Sequence, residues 1–116
     1  MSTQKSPITT HVLDTVTGRP AADLAVTLAK QSGGEWHPIA AGRTNSDGRI
    51  IDWLAGEQRE AGTYRVEFAT GDWLTARQRA NFYPTVSIVF TIDNPDEHYH
   101  IPLLLSDFGY STYRGS

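Results

Sequence analysis

Short stretches of alternating apolar and polar residues, separated by turn residues at intervals of about 8–12 positions, constrain this chain more than any other feature. Such period-2 alternation is typical of β-strands, because successive side chains point to opposite faces. One segment breaks the pattern: Asp72 to Ala80 contains good helix formers, with Asp72 placed to cap the first turn. The predicted strands are 8–14, 24–29, 36–43, 49–53, 63–68, 85–92, 98–105 and 110–114. Short strands in this number, with one short helix, predict an all-β fold, a sandwich of two antiparallel sheets.

One turn in this series has a specific sequence signature. The residues from Thr44 to Gly48 include the pair Asp47-Gly48, a dipeptide that favours tight turns between paired strands. The segments 36–43 and 49–53 flank this turn directly. We therefore predict that these two segments form a β-hairpin.

Length and composition narrow the class of protein. With 116 residues the chain can build one core, so we expect a single domain over residues 1–116, with about residues 1–6 as a disordered N-terminal lead. The 10 Lys and Arg residues against 13 Asp and Glu leave a net charge of -3. This balance argues against a nucleic-acid partner, since phosphate binding needs a clustered basic face. The absence of cysteine excludes disulfides, thiolate metal sites and thiol nucleophiles.

The distribution of apolar residues argues against secretion and against a membrane. The segment from Met1 to Thr10 has no apolar run of the kind that secretory signals carry. The longest apolar stretches, 86–92 and 101–105, are too short to cross a bilayer. We therefore expect a cytoplasmic protein with no membrane partner.

Several polar side chains stand in strands that are otherwise hydrophobic. His11 lies in the middle of its strand, and His98 and His100 point to the same face of theirs because they are two residues apart. Arg49 begins the strand that follows the Asp47-Gly48 turn. Any one strand histidine is more often solvent-facing or hydrogen-bonded than functional, and spacing alone does not bring these residues together. His37, beside Trp36 and Pro38, we interpret as a surface residue.

The C-terminal segment is unusual for a chain end. Termini commonly fray, yet the residues from Phe108 to Ser116 are aromatic and β-prone to the last position. A strand that runs to the terminus would bring Gly115 and Ser116 where the fold can use them. The alternative interpretation is an edge strand protected from pairing by Arg114.

These residue types can support hydrolysis of a small, planar, polar carbonyl compound. A neutral imidazole can take a proton from water near neutral pH, and a guanidinium can hold an anionic ring or a developing oxyanion. A Ser hydroxyl or Tyr phenol can orient the water or the substrate. Such a reaction requires no metal, no cofactor and no covalent intermediate. The alternative is a zinc site in which His98 and His100 on one face join His11 and leave a fourth position open.

Three separated motifs resemble those of the 5-hydroxyisourate hydrolases, the enzyme branch of the transthyretin-related family. They are the residues 8–14 followed by 18–20, the turn 44–49, and the segment 98–106 with the tail 110–116, and they span the whole chain in order. The terminal Tyr-Arg-Gly-Ser is the most specific of them, because it separates the enzymes from the hormone-carrying transthyretins. The resemblance implies a transthyretin-like sandwich of two four-stranded antiparallel sheets with one short helix, assembled as a homotetramer.

The resemblance also implies an activity and a set of site residues. The implied reaction is hydrolysis of 5-hydroxyisourate to 2-oxo-4-hydroxy-4-carboxy-5-ureidoimidazoline, which belongs to urate degradation. His11, Arg49 and His100 match the family's two catalytic histidines and its arginine. The tail residues Tyr113 and Ser116 match the positions that complete the pocket, Tyr113 for binding and Ser116 among the catalytic set. We expect His11 and Arg49 to contact substrate as well.

Three points stay open at this level. Either His11 or His100 can be the base that deprotonates water, and His98 is interpreted as a bystander that shares a face with His100. A transthyretin-like carrier of small molecules, without catalysis, is the alternative function. After Ser106 the family usually has Pro, whereas this chain has Asp107. Both residues suit a turn, so we expect a local change in loop stiffness and unchanged chemistry.

Overall fold

The computed structural model describes residues 6–54 and 59–116. Their elements are β1 (Ile8–Asp14), β2 (Arg19–Pro20), β3 (Ala25–Ser32), β4 (Glu35–Arg43), β5 (Arg49–Ile50), β6 (Gly62–Phe68), α1 (Thr70–Thr75), β7 (Val86–Ile92), β8 (Tyr99–Leu105) and β9 (Tyr110–Thr112). The expected N-terminal lead falls outside the described residues over 1–5. Ser6, its last residue, is buried and donates its N–H to the Ile51 carbonyl at 2.8 Å. Ser6 is therefore packed against the rest of the domain.

Two sheets stack face to face, which confirms the predicted sandwich with one short helix. One sheet has the order β2-β1-β8-β9, with β5 also paired to β1, and the other has the order β4-β3-β6-β7. β5 pairs with the middle of β1, and β2 pairs with the end of β1. Both lie along the same edge of β1, because β8 occupies the other edge. The pairing of β1 with β8 is parallel, whereas the remaining strand pairs are antiparallel. The first sheet thus differs from the predicted four antiparallel strands by one short strand and one parallel pair.

The core lies between the two sheets and follows the period-2 pattern of the strands. In β1, Ile8, Val12 and the other even-numbered residues are buried, as are the odd-numbered residues of β8. Tyr64 and Phe68 of β6 fill the facing side. The other parity of β1 and β8 forms the outer face of the first sheet: Thr9, His11, Leu13, His100, Pro102 and Leu104. This outer face carries most of the residues that the sequence singled out.

The predicted hairpin of 36–43 with 49–53 is wrong. β4 pairs with β3 in one sheet, whereas β5, only two residues long, pairs with β1 in the other. The intervening turn therefore carries the chain from sheet to sheet. Thr44 anchors this crossing, because its hydroxyl donates to the Ala21 carbonyl at 2.6 Å and accepts from the Leu24 N–H at 2.9 Å. A dipeptide that favours a tight turn does not specify which strands the turn joins.

The helix begins earlier and ends sooner than the predicted 72–80. α1 covers Thr70–Thr75, so Asp72 lies in its first turn and is not the N-cap. The C-terminal end is closed by two backbone hydrogen bonds, from Gln78 to Thr75 and from Arg79 to Leu74. With Gln78 at φ 59°, these bonds form a Schellman motif, which halts the helix although good helix formers follow. Within the described residues, no helix is long and apolar enough to span a bilayer.

Candidate active site

Sheet register brings His11, Arg49 and His100 onto the outer face of the first sheet. His11 of β1 lies directly opposite Arg49 of β5 on one side and Pro102 of β8 on the other. His100 lies one row away, opposite Thr9 of β1. Directly opposite residues in neighbouring strands share a face, so these side chains project from the same surface. Three of the four residues that the resemblance named as catalytic, His11, Arg49 and His100, therefore come together from three strands.

The turn before β5 fixes where Arg49 starts. The Asn45 side-chain oxygen accepts hydrogen bonds from the backbone N–H groups of Asp47 at 2.9 Å and Arg49 at 3.0 Å. Gly48 has a φ of 76°, and a Cβ there would lie 2.5 Å from the Val12 carbonyl oxygen. Only glycine tolerates both the conformation and the close approach, and the Val12 N–H bonds to the Gly48 carbonyl at 2.8 Å. The turn is thereby held against β1, which places Arg49 beside His11.

Burial and neighbouring positive charge act on both histidines in the same direction. The pKa of His11 is lowered from its ordinary value, first by burial and then by Arg49, with a hydrogen bond to the Asp47 backbone and the Asp47 carboxylate opposing. The pKa of His100 is lowered first by burial and then by Arg49, His98 and His11. Both imidazoles are therefore neutral at pH 7 and can accept a proton. The exposed guanidinium of Arg49 stays charged beside them.

The His100 ring is held between β1 and the chain terminus. On one edge its Nδ1 lies 2.8 Å from the Thr9 hydroxyl oxygen. On the other, Gly115 bonds through its N–H to the His100 carbonyl at 2.9 Å, and a Cβ at Gly115 would come within 2.5 Å of the ring carbon Cδ2. The tail therefore needs glycine at this position to lie against the imidazole. This contact packs the C-terminal segment against the His100 ring.

Evidence that Tyr113 and Ser116 belong to the site is less direct. Thr112 pairs with Leu103 and Gly115 with His100, so the intervening register sets Tyr113 opposite Pro102, in the row of His11 and Arg49. Tyr113 is 59% exposed and also lines a cleft of about 260 Å³ beside β7. Ser116 is exposed and follows Gly115. In the part of the chain that the structure describes, hydrogen bonds link neither Tyr113 nor Ser116 to the three catalytic candidates. Their association with the site rests on sheet position.

One residue near the site, Thr9, was not singled out from the sequence. Thr9 is 2% exposed, and its hydroxyl lies 2.9 Å from Nε2 of His98 as well as 2.8 Å from Nδ1 of His100. The two rings are nearly parallel, at 20°, with centroids 6.3 Å apart. Thr9 shares a face with His11 by strand period, but the parallel pairing of β1 with β8 has no local signature. Only that pairing shows that its hydroxyl meets two histidines.

Asp107 does more than adjust a turn. Its carboxylate binds Arg79 at 2.6 Å, and Arg79 also binds Asp14 at 2.7 Å. The position where the family usually has Pro therefore ties the β8–β9 turn to the chain after α1 and to the end of β1. Sequence analysis missed this ion triad because its three members are far apart in the chain.

The zinc alternative finds no ligand set in the described structure. Among residues 6–54 and 59–116, no three or more His, Cys, Asp or Glu side chains are grouped so that they could hold a metal ion. His98 and His100 instead direct one ring nitrogen each to the Thr9 hydroxyl. His37, interpreted as a surface residue, is exposed on β4 and contacts the Ser32 carbonyl at 3.2 Å.

Comparison with known proteins agrees with the fold and with the motifs. The model of the HIUase/Transthyretin family matches residues 8–115. A mouse protein named 5-hydroxyisourate hydrolase is 42% identical over 118 residues, covering 100% of both chains. The solved structure of Klebsiella pneumoniae 5-hydroxyisourate hydrolase has a TM-score of 0.84 at 34% identity, with 100% of both chains covered. Sea bream transthyretin in complex with thyroxine has a TM-score of 0.88 at 35% identity, with 94% of each chain covered. These matches confirm the transthyretin-like fold, and the chain belongs to the HIUase/Transthyretin family.

Proposed function

We propose that this protein hydrolyses 5-hydroxyisourate, opening its ring to yield 2-oxo-4-hydroxy-4-carboxy-5-ureidoimidazoline in urate degradation. The observation that carries the proposal is the cluster of His11, Arg49 and His100 on one sheet face, with two neutral imidazoles beside a permanent positive charge. Relatives that share 40–45% identity with this chain over nearly its whole length carry the name of this hydrolase. The chemistry of the cluster fits the reaction that their name describes.

The residues take separate roles in this reaction. A neutral imidazole, of His11 or of His100, accepts a proton from the attacking water, and the same group returns a proton to the departing ring nitrogen. Arg49 stabilises the negative charge that develops on the substrate oxygen. Tyr113 and Ser116 bind and orient the substrate from the tail, and no cofactor takes part.

We further propose that the chain acts as a homotetramer. The outer face that carries the catalytic candidates is open in the single chain, with Arg49 and His98 exposed. β7 and β9 end their sheets among the described residues, and β7 is seven residues long with Val89 56% exposed. Such an edge readily pairs with another copy. Edge pairing into dimers and stacking of two dimers over the outer face would shield the site from bulk water.

A carrier of small molecules is the second candidate, favoured by the structural match to thyroxine-bound sea bream transthyretin. A binding channel in such a carrier needs apolar surface and few charged groups. Here the middle of the outer face holds two imidazoles and a guanidinium instead. This polarity favours catalysis over storage.

Decay of freshly generated 5-hydroxyisourate, followed by absorbance with and without the purified protein, tests the proposal. We expect acceleration over the buffer rate, unchanged by a chelator. Loss of the acceleration on adding chelator would restore the zinc alternative, and decay at the buffer rate would favour the carrier.

The Arg49→Gln variant tests the role of the guanidinium in the same assay. We expect kcat/KM to fall about 10²- to 10³-fold, as for loss of one group that stabilises an oxyanion. Arg43→Gln is the matched control, because Arg43 is an exposed arginine on β4 of the other sheet. Equal rates for the Arg49 and Arg43 variants would contradict the electrostatic role.

A further inference from the structure

A single buried hydroxyl lies between two histidines. The Thr9 oxygen is 2.8 Å from Nδ1 of His100 and 2.9 Å from Nε2 of His98, both within hydrogen-bond range. Thr9 is 2% exposed, and His100 is half-buried, whereas His98 is exposed. The three side chains therefore form a chain of two hydrogen bonds that runs from the site toward solvent.

Such a bridge can satisfy both bonds in only two ways. A hydroxyl has one hydrogen to donate, so it donates to one ring nitrogen and accepts from the other. If Thr9 donates to His98, then His100 carries its proton on Nδ1 and its Nε2 is bare. If Thr9 donates to His100, then the His100 proton is on Nε2. The tautomers of the two histidines are thus coupled through Thr9.

We propose that Thr9 is a positioning residue that holds His100 with its proton on Nδ1, with His98 as the acceptor that fixes the direction of the Thr9 hydroxyl. This inference rests on the proposed hydrolase function, because it assigns His100 as the imidazole whose bare Nε2 accepts a proton from water. It also gives His98, interpreted from sequence as a bystander, a part in the site.

The groups around His100 permit the tautomer with a proton on Nδ1 and restrict flipping of the ring. Gly115 lies against Cδ2, on the ring edge opposite Nδ1, so the ring is held between the tail and Thr9. A ring flip would exchange Nδ1 and Cδ2 and lose the bond to Thr9. Arg49, His11 and His98 are the charged and titratable groups that face the ring, and each lowers its pKa. His100 is therefore neutral at pH 7, and its tautomer decides whether it can accept a proton.

In this step Nε2 of His100 receives one proton and returns it. As the water oxygen attacks the substrate carbonyl, one water O–H bond breaks and a bond from that hydrogen to Nε2 of His100 forms. The imidazolium keeps its Nδ1–H bond to Thr9, and Thr9 keeps its O–H bond to His98. The Nε2 proton then passes to the departing ring nitrogen of the substrate. His100 returns to its starting tautomer with no movement of Thr9 or His98.

Variants at Thr9 separate the hydroxyl from its volume. Thr9→Val keeps the shape and removes both hydrogen bonds, and we expect kcat to fall about 10- to 100-fold, the range for a hydrogen bond to a charged group. KM should be unchanged, because Thr9 is buried beneath the site. Thr9→Ser restores a hydroxyl and should recover most of the lost rate. A kcat for Thr9→Val within twofold of the unsubstituted protein would overturn the proposal.

The variant His98→Ala removes the acceptor without touching the core. Thr9 can then donate to His100 instead, so we expect kcat to fall by a similar factor. Combined with Thr9→Val, it should cause no further loss, because both changes break the same unit. His37→Ala, at an exposed histidine of the other sheet, is the matched control and should leave the rate unchanged. Additive losses in the double variant would contradict coupling through Thr9.

Ring-nitrogen NMR of the whole protein tests the bridge without any activity. Long-range proton–nitrogen correlation spectra distinguish a bare ring nitrogen from one that carries a proton. We expect His100 to show a protonated Nδ1 with a bare Nε2, His98 to show a bare Nε2, and the His100 pattern to change in Thr9→Val. A protonated His100 Nε2 in the unsubstituted protein would overturn the proposal. If no variant and no unsubstituted protein hydrolysed 5-hydroxyisourate, the proposed function would fail, while these spectra would still decide the tautomer.

Discussion

Strand β1 carries two ionisable side chains, His11 and Asp14, whose surroundings are electrostatically opposite. His11 faces outward beside Arg49, and burial and that positive charge dominate its pKa. Asp14 is 3% exposed at the end of the strand, where the Arg79 guanidinium binds both of its oxygens at 2.7 and 3.0 Å. The pKa of Asp14 is lowered, mainly by this bond, and that of Arg79 is raised.

The difference shows how one short strand serves two purposes. In the ion triad of Asp14, Arg79 and Asp107, each carboxylate binds the same oppositely charged guanidinium, and the bonds join three segments of chain. At the site, burial and the positive charge of Arg49 both disfavour protonation of the imidazoles, which keeps them neutral at pH 7. Compensated charge stabilises a fold, whereas uncompensated charge is available to a substrate.

Substitution of His100 should have the largest effect. His100→Gln removes a group that can accept a proton, so we expect kcat/KM to fall about 10²- to 10⁴-fold. The free energy of unfolding should change by less than about 1 kcal/mol, because the site contributes little to the core. Steady-state kinetics and urea unfolding measure the two quantities. His11→Gln in the same assays shows which imidazole has the larger effect, and unchanged rates in both would contradict the acid–base role.

The opposite result is expected at the ion triad. Arg79→Met leaves the Asp14 carboxylate buried without its main partner, so we expect a loss of about 3 kcal/mol in the free energy of unfolding. The folded variant should keep its kcat, since the Arg79 guanidinium binds Asp14 and Asp107 and none of the catalytic candidates. Urea unfolding and the hydrolysis assay check both expectations. Asp107→Asn is a milder companion, because Asp107 is more exposed than Asp14. A larger loss in the companion than in Arg79→Met would be inconsistent with this assignment.

The smallest expected effect is on the pH dependence of the free energy of unfolding, which should decline in two separate pH ranges. The pKa values of His11 and His100 lie below the ordinary 6.5 in the folded chain, so the unfolded chain binds these protons first on acidification. Stability from the neutral imidazoles is therefore complete above about pH 6.5 and is lost as pH falls from there through the lowered pKa values. The lowered pKa of Asp14 places its own loss below its ordinary value of 3.8. On acidification, stability from the two histidines should therefore begin to fall at a higher pH than stability from Asp14.

Urea midpoints measured at about pH 8, 5.5 and 3 resolve the two windows. Arg79→Met should abolish most of the second decline and leave the first. The double variant of His11→Gln and His100→Gln should do the reverse. Identical profiles for all three proteins would show that neither cluster has shifted pKa values.

Local patterns determined much of the fold. The period-2 segments predicted eight strands, and each overlaps an observed strand, because alternation sets which face is buried without reference to distant residues. Helix propensity predicted the end of the helix less well. The residues after Thr75 favour a helix, yet the αL conformation of Gln78 ends it. The Asp47-Gly48 turn was recognised correctly as a turn, but its partners were assigned to the wrong sheet.

The candidate site also contains residues that the sequence could identify and residues that it could not. His11, Arg49 and His100 could be singled out from residue type and motif resemblance, and the register of three strands places them on one face. Tyr113 and Ser116 remain predictions, supported by sheet position. Thr9, Gly115 and the partner of Asp107 could not be found in advance, because each depends on a contact between residues far apart in the chain.

The sequence by itself determined which segments are strands, which of their faces is apolar and which side chains can carry chemistry. The tertiary structure decided that β1 and β8 lie parallel, which brings the Thr9 hydroxyl to both His98 and His100. It also decided that Asp107 binds Arg79. The physical reason is that hydrophobic periodicity is local and non-directional, whereas hydrogen bonds and ion pairs require specific atoms within about 3 Å, a distance that only strand register and loop closure can set.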